Sequence, residues 1–308
     1  MVILENELMC KHTSFKVGGP ARYFAKADSS DEIMEARLFA KEKSLPYFIL
    51  GNGTNLLVSD KGYKGVIITL GRSFSSIEDL GGGIFRAGAA TPLGGFARRS
   101  IKAGFSGIHK LAGVPGFMGG AIYMNAGAYG QEICQTCVEV ESLDKAGNLK
   151  KRAAAECGFD YRKSIFQELA QNPETAEIIL SATFQLEPTE TSGKDSHTLE
   201  AEMQECMAKR KASQPLNMPN AGSTFKRLNT GAANTPQQIA PGYYIEHSGL
   251  KGYRIGGAQV STVHANFIVN AGGATANDIK NLSEYVQQVV AAKFDIQLKR
   301  EIILLGEF

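Results

Sequence analysis

Residues 104–130 read GFSGIHKLAGVPGFMGGAIYMNAGAYG and hold glycines at positions 104, 107, 113, 116, 119, 120, 127 and 130. The same run carries Leu111, Val114, Phe117, Met118, Ile122 and Met124. A flexible linker would be rich in glycine and serine and poor in such apolar side chains. This backbone therefore has to turn tightly while staying buried, and glycine permits both a positive φ and the close approach of a ligand. Bare N–H groups in such a turn form a concave anion site, for which a pyrophosphate is the usual occupant. Two readings stay open on these residues: a glycine-rich core turn without a ligand, and a cradle for a dinucleotide.

A second glycine turn, Gly51-Asn52-Gly53-Thr54-Asn55-Leu56, follows the short apolar strand Tyr47–Leu50. Alone it is a weak signal, because many strand ends carry such turns. Two in one chain say more, since a pyrophosphate needs backbone donors at each end. No G-x-G-x-x-G stands between a strand and a helix, so a Rossmann cradle is not supported.

With 308 residues, 43% hydrophobic and 21% charged, the chain is long enough for two or three globular domains and is no disordered polymer. Lys plus Arg number 33 against 31 Asp plus Glu, a formal net charge of +2. That balance, without a long basic run, gives no reason to expect a nucleic-acid partner. Cys10, Cys134, Cys137, Cys157 and Cys206 are odd in number. The Cys134/Cys137 pair has no second pair at zinc-ribbon spacing, and all five read as reduced thiols. The N-terminus has no signal-peptide pattern and no apolar run approaches a membrane span, so the expectation is a soluble, cytoplasmic protein.

Along the chain, Gly18-Gly19-Pro20 splits two extended pieces, and Ser29 or Ser30 caps a helix with Asp31 and Glu32 in its first turn. Strands are expected at 66–70, 138–143, 149–152 and 177–186, the middle two joined by the turn residues 144–148. Thr91 and Pro92 read as N-cap and N1 of a helix that stops at Gly104. A helix over 197–213 shows Leu199, Met203 and Met207 on one face and Lys209, Arg210 and Lys211 in its last turns. Helices follow near 236–247 and 276–294, the latter capped by Thr275, with core spacing at Ile279, Leu282, Val286, Val289 and Val290. The chain ends in a strand over 301–305. Residues 188–196 are polar and mark the main boundary.

Three further stretches carry candidate chemistry. CGFDYRKSIF, residues 157–166, sets Arg162 beside Tyr161, where its fork can hold a carboxylate or stand on a surface loop. PNAGSTFKR, residues 219–227, brackets Ser223 with small residues ahead of Lys226 and Arg227; the serine is a proton-handling hydroxyl near an anion, or a turn residue. Glu301 opens an apolar segment and reads as a positioned acid or an edge residue. His247 and His264 lack metal-ligand spacing and read as structural; no metal is expected.

Taken together, HTSFKVGGPARYF (12–24), ILGNGTNLLV (49–58), AGVPGFMGGAIYMNAGAYG (112–130), CGFDYRKSIF, PNAGSTFKR, GLKGYRIGGAQVSTVHANFIVN (249–270) and REIILLGEF (300–308) make the chain resemble the bacterial UDP-N-acetylenolpyruvoylglucosamine reductases. These are the flavoenzymes of peptidoglycan precursor synthesis. The resemblance spans nearly the whole length, and several motifs are specific singly as well as in order. A tyrosine-bearing insertion found in one branch of the family has no counterpart, which points to the shorter branch. Arg300 stands where a proline often precedes the C-terminal glutamate.

The resemblance implies an α+β protein: a two-subdomain FAD-binding fold of the vanillyl-alcohol-oxidase type, residues 1–70 and 71–195, and a C-terminal α+β substrate-binding domain, 196–308, whose last strand returns to the active site. It implies non-covalent FAD held by Gly51, Asn52, Gly53, Thr54, Asn55, Leu56, Gly113, Val114, Pro115, Gly119, Gly120, Ala121, Asn125, Ala126 and Gly127. NADPH is implied as the hydride donor and Arg162, Ser223 and Glu301 as the catalytic residues, with Ser223 the proton donor. Tyr161, Lys211, Lys226 and Arg227 would meet a nucleotide-sugar substrate, and the expected state is a monomer. Two rivals remain at this point: another flavin oxidoreductase of the same fold, and a non-catalytic nucleotide-sugar binding protein.

Overall fold

The computed structural model describes residues 1–228 and 240–308. The chain forms two compact units: residues 1–3, 24–52 and 66–210 in the first, and residues 4–23, 53–65 and 211–308 in the second.

The first unit is centred on a five-stranded antiparallel sheet. Its strand order is Leu149–Ala153, Cys137–Leu143, Ile178–Gln185, Ile84–Gly88, Ile77–Asp79. The expected hairpin is present, with Leu143 opposite Leu149 across the turn. Helix Leu93–Lys102 lies on the sheet, burying Leu93, Phe96, Ala97 and Ile101; the Phe96 ring meets Phe184 at 5.0 Å and Phe85 edge-on at 6.3 Å. Side chains of this size contribute roughly 1.5–3 kcal/mol each when fully buried. Helix Ser196–Ser213 adds buried Leu199 and Met203 and half-buried Met207 to the same core, the face that its spacing predicts.

Helix Ser30–Glu42 begins where expected, with the Ser29 hydroxyl accepting from the Glu32 N–H at 3.1 Å. Helix Leu93–Lys102 begins one residue later than Thr91-Pro92 suggests. Pro92 is its N-cap, because the Thr91 hydroxyl donates instead to the Ser76 carbonyl at 3.1 Å, a long-range partner invisible to local pattern. The stop is as expected, with Gly104 at φ +82°. Strand Tyr47–Leu50 pairs in parallel with residues 66–69 and leads into the first glycine turn.

The second unit packs helix Ala276–Phe294 against a three-stranded antiparallel sheet of Arg254–Ile255, Ala258–Val260 and Ile268–Asn270. Ile279, Leu282, Val286 and Val290 meet Ala258, Val260, Ile268, Phe15, Leu57 and Phe225 in one core. Thr275 and Asp278 form a reciprocal capping box, and the Asp60 carboxylate accepts from the N–H groups of Ala276 and Asn277 at 2.7 and 2.9 Å. A carboxylate there also opposes the helix dipole favourably. Strand Ile303–Leu305 pairs in parallel with Leu56–Val58. It starts two residues after the expected position, so Glu301 precedes the strand. The helix expected from 236 is described only over Pro241–His247; residues 236–239 lie outside the described residues.

Candidate active site

In the second unit, three distant stretches converge. The Asn55 amide donates to the Glu301 carbonyl at 3.1 Å, and the Glu301 N–H donates to the Thr224 carbonyl at 2.8 Å. Phe225 and Arg300 face each other in an antiparallel bridge, continued by the Lys226 N–H to the Lys299 carbonyl at 2.9 Å. Ser223 therefore stands on a segment whose neighbour carries Glu301, although they are far apart in sequence. Ser223 itself leaves a tight turn: Gly222 has φ +76° and its N–H donates to the Asn220 side chain at 2.9 Å. Asn266 fixes the next two residues. Its carbonyl accepts from Thr224 at 2.7 Å, and its amide exchanges two hydrogen bonds with the Phe225 backbone at 3.0 and 2.9 Å. This clamp was not among the sequence candidates. Its one signal is the asparagine within the HANF stretch, 264–267. Lys226 is half-buried, while Arg227 and Lys211 are exposed.

Arg162, in the first unit, occupies the tight Asp160–Lys163 turn with φ +52°. A non-glycine residue in that region costs roughly 1–3 kcal/mol and persists only where its surroundings over-determine it. Those surroundings are visible: the guanidinium donates to the Gly127 carbonyl at 3.0 Å, lies 5.1 Å from the Tyr161 ring centroid, and the Arg162 carbonyl accepts from Gln167 at 3.1 Å. Arg162 is thereby joined to the end of the long glycine run.

Within that run the glycines do different things. A Cβ on Gly119 would come 3.0 Å from the Ala89 Cβ, so any side chain there requires Ala89 to give by a few tenths of an ångström, and the Gly119 N–H donates to the Ala89 carbonyl at 2.8 Å. A Cβ on Gly120 would meet nothing within 4 Å. In the first turn, a Cβ on Gly53 (φ +61°) would lie 2.0 Å from the His12 carbonyl oxygen, whereas Gly51 has open space. No internal contact requires glycine at 51 or 120, and both suit a group that lies against the backbone there. Not every N–H in the run is free for an anion: those of Val114, Ala121 and Ala126 donate to Leu111, Phe117 and Ala121. The buried Asn125 amide is occupied by Glu132, Asp160 and Cys134. Pro115 is exposed, and Thr54 and Leu56 flank Asn55.

Within the run, His109 ties the segment to helix Ser196–Ser213. This buried ring shares a 3.0 Å hydrogen bond with Glu202 on helix Ser196–Ser213, and Glu202 also pairs with Lys194. Burial holds His109 below its ordinary pKa, with the Glu202 bond opposing. Burial also pushes the Cys137 thiol up to about 12 and Cys134 upward, which keeps this pair as neutral thiols. Among the described residues, no group of three or more His, Cys, Asp or Glu is arranged to hold a metal ion, and no helix is long and apolar enough to cross a membrane.

Residues 21–152 match a family model described as FAD binding domain, and residues 214–305 match one described as UDP-N-acetylenolpyruvoylglucosamine reductase, C-terminal domain. The protein named UDP-N-acetylenolpyruvoylglucosamine reductase in Caldanaerobacter subterraneus subsp. tengcongensis is 42% identical over 306 residues, covering 98% of this chain and 93% of that relative. Its namesake in Carboxydothermus hydrogenoformans is 39% identical, covering 99% and 94%. The crystal structure of UDP-N-acetylenolpyruvylglucosamine reductase from Thermus caldophilus superposes with a TM-score of 0.79 at 31% identity, over 99% of this chain and 98% of that one. On the strength of these near full-length matches, the chain belongs to the UDP-N-acetylenolpyruvoylglucosamine reductase family.

Proposed function

We propose that this chain reduces UDP-N-acetylglucosamine enolpyruvate to UDP-N-acetylmuramate, with FAD bound non-covalently and NADPH as the hydride donor. When bound, FAD supplies a hydride from N5 to C3 of the enolpyruvyl group. Residues 1–70 and 71–195 serve the cofactor and 196–308 the substrate. The observation that carries the reading is the convergence of Asn55, Thr224 and Glu301, which joins a cofactor turn, the Ser223 segment and the C-terminal acid through backbone bonds of 3.1 and 2.8 Å.

Hydride addition next to a carboxylate drives negative charge onto that carboxylate. Groups that meet charge developing in the transition state contribute most to rate. Arg162 takes this role through its fork, and Glu301 assists as the protonated acid, donating a hydrogen bond. Ser223 delivers the proton to C2. A serine is a weak acid alone, and Lys226 and Arg227 are the cations that assist it. Tyr161 and Lys211 complete the contacts to the nucleotide sugar. The cofactor residues act through their backbone and, at Gly51 and Gly120, through the absence of a side chain. The same reading makes the protein a cytoplasmic monomer.

Anaerobic absorbance tests it in one cuvette. NADPH should bleach the flavin band, and the enolpyruvyl nucleotide sugar should restore it. Recovery only on admitting oxygen rejects the substrate. In Ser223→Ala, flavin reduction should be spared and reoxidation by substrate slowed by roughly 100-fold or more, the usual scale of a lost general acid. Equal loss in both half-reactions removes Ser223 from its role.

A further inference from the structure

The segment that presents Glu301 alternates in burial. Leu298 and Ile302 are buried in the core of the second unit, whereas Lys299 is exposed. Successive side chains of an extended segment point to opposite faces, so Arg300 shares the inward face with Leu298 and Ile302, and Glu301 belongs to the other. An arginine turned inward needs acceptors there. Helix Ala276–Phe294 supplies them: the Arg300 guanidinium donates to the buried Ser283 hydroxyl at 3.1 Å and lies 3.6 Å from the Glu284 carboxylate. One turn further along, the Gln287 amide donates to the Leu298 carbonyl at 2.7 Å. Ser283 and Gln287 are four positions apart and lie on one side of the helix.

Glu284 is shared with Lys280 at 2.8 Å, and the Arg300 and Glu284 side chains are both partly exposed. An ion pair of that kind adds little stability. What it adds, with Ser283, is a fixed place for the segment. The main chain shows why a side chain is used for this. Phe225 and Arg300 are bridge partners, and the bonds joining their segments flank them: the Lys226 N–H to the Lys299 carbonyl at 2.9 Å, and the Glu301 N–H to the Thr224 carbonyl at 2.8 Å. In such a non-hydrogen-bonded pair, the N–H and carbonyl of Arg300 itself turn away from Phe225. Residue 300 takes no part in this ladder through its backbone, and a proline there would cost no ladder bond. Its contribution is the reach of its side chain to the helix.

We propose that Arg300 is a positioning residue for the reduction: held by Ser283 and Glu284, it orders the main chain of residues 298–301 and sets Glu301 on the face opposite the helix. The inference deepens the functional reading above and rests on it for the role of Glu301.

Arg300→Ala removes the tether, Ser283→Ala removes its buried acceptor and leaves the arginine, and Arg300→Pro removes the side chain while restraining φ. In the holoprotein, Arg300→Ala should slow reoxidation of the reduced flavin by the enolpyruvyl nucleotide sugar by roughly 10-fold, less than the ~100-fold that a 1 Å misplacement can cost. Ser283→Ala should act in the same direction by a smaller factor, and Arg300→Pro should recover most of the rate. Flavin reduction by NADPH should stay at the wild-type rate. Amide exchange over residues 298–303, read by mass spectrometry, should quicken in Arg300→Ala by about 10-fold, the factor of one ordinary hydrogen bond. Unchanged reoxidation overturns the inference, and if exchange has quickened, Arg300 is a structural residue only. An equal loss in both half-reactions overturns it too, as does an Arg300→Pro variant as slow as Arg300→Ala. Should Arg300→Ala fail to fold, Ser283→Ala carries the same test. A wild-type chain whose reduced flavin is not reoxidised by the nucleotide sugar sinks the functional reading, and the exchange measurement then still decides whether Arg300 orders the segment.

Discussion

The two glycine turns look alike in sequence and differ in what their glycines are for. In residues 51–56, one glycine is forced by the protein: Gly53 sits at φ +61° with the His12 carbonyl where a Cβ would go. In residues 113–127, Gly119 is forced more gently, by a 3.0 Å approach to Ala89. Each turn also contains a glycine with open space, Gly51 in one and Gly120 in the other. Glycine richness therefore mixes two causes, internal packing and room for a ligand, and only the atoms around each Cα separate them.

That separation is open to direct attack. The largest effect should come from Gly53→Ala, which combines a disfavoured backbone region with a backbone clash that cannot be relieved by rotating a side chain. It should lose about 2–5 kcal/mol of stability, read by urea unfolding. A stable Gly53→Ala would erase the distinction. Gly119→Ala should be milder, about 1–2 kcal/mol, since Ala89 has to give by a few tenths of an ångström; its unfolding midpoint is the check. Gly51→Ala and Gly120→Ala should change stability by less than about 1 kcal/mol while weakening FAD binding to the apoprotein. Unaltered FAD affinity in both would detach the open glycines from any ligand.

The supports of the two turns differ as well. Backbone contacts brace the first: the Ser14 N–H donates to the Gly53 carbonyl at 3.1 Å. The second depends partly on a titratable pair, His109 and Glu202. His109 is held below its ordinary pKa in the folded chain by burial, so the unfolded chain binds more protons there. Its contribution is complete above the unfolded value of about 6.5 and declines as pH falls below it. Glu202 is lowered chiefly by its bond to Lys194, so its contribution is lost at still lower pH. The thermal midpoint should therefore drop between pH 7 and 5.5, and His109→Gln should flatten that drop. An unchanged slope in the variant would assign the pH dependence elsewhere.

Much of the secondary structure was legible because its signals are local. The Ser29 and Thr275 caps, the 144–148 hairpin turn and the helical spacing of Ile279, Leu282, Val286 and Val290 all depend on residues within a turn or two of each other. The misplaced start at Thr91 has the opposite origin. Its hydroxyl is taken by Ser76, fifteen positions away. The late start of the final strand is similar, since Glu301 uses its N–H to bind Thr224 before the chain reaches Leu56.

By itself the sequence determined the family, the two glycine turns and the identity of the residues with chemistry to offer, because motif order and residue type are properties of the chain. Tertiary structure alone decided that Asn55, Thr224 and Glu301 are joined by backbone bonds and that Arg162 is held in a strained turn against Gly127. It also decided that Arg300 reaches helix Ala276–Phe294 while Lys299 beside it is exposed. Hydrogen bonds and burial between distant segments depend on distances in space, and no spacing along the chain encodes which cation finds its acceptor on another element.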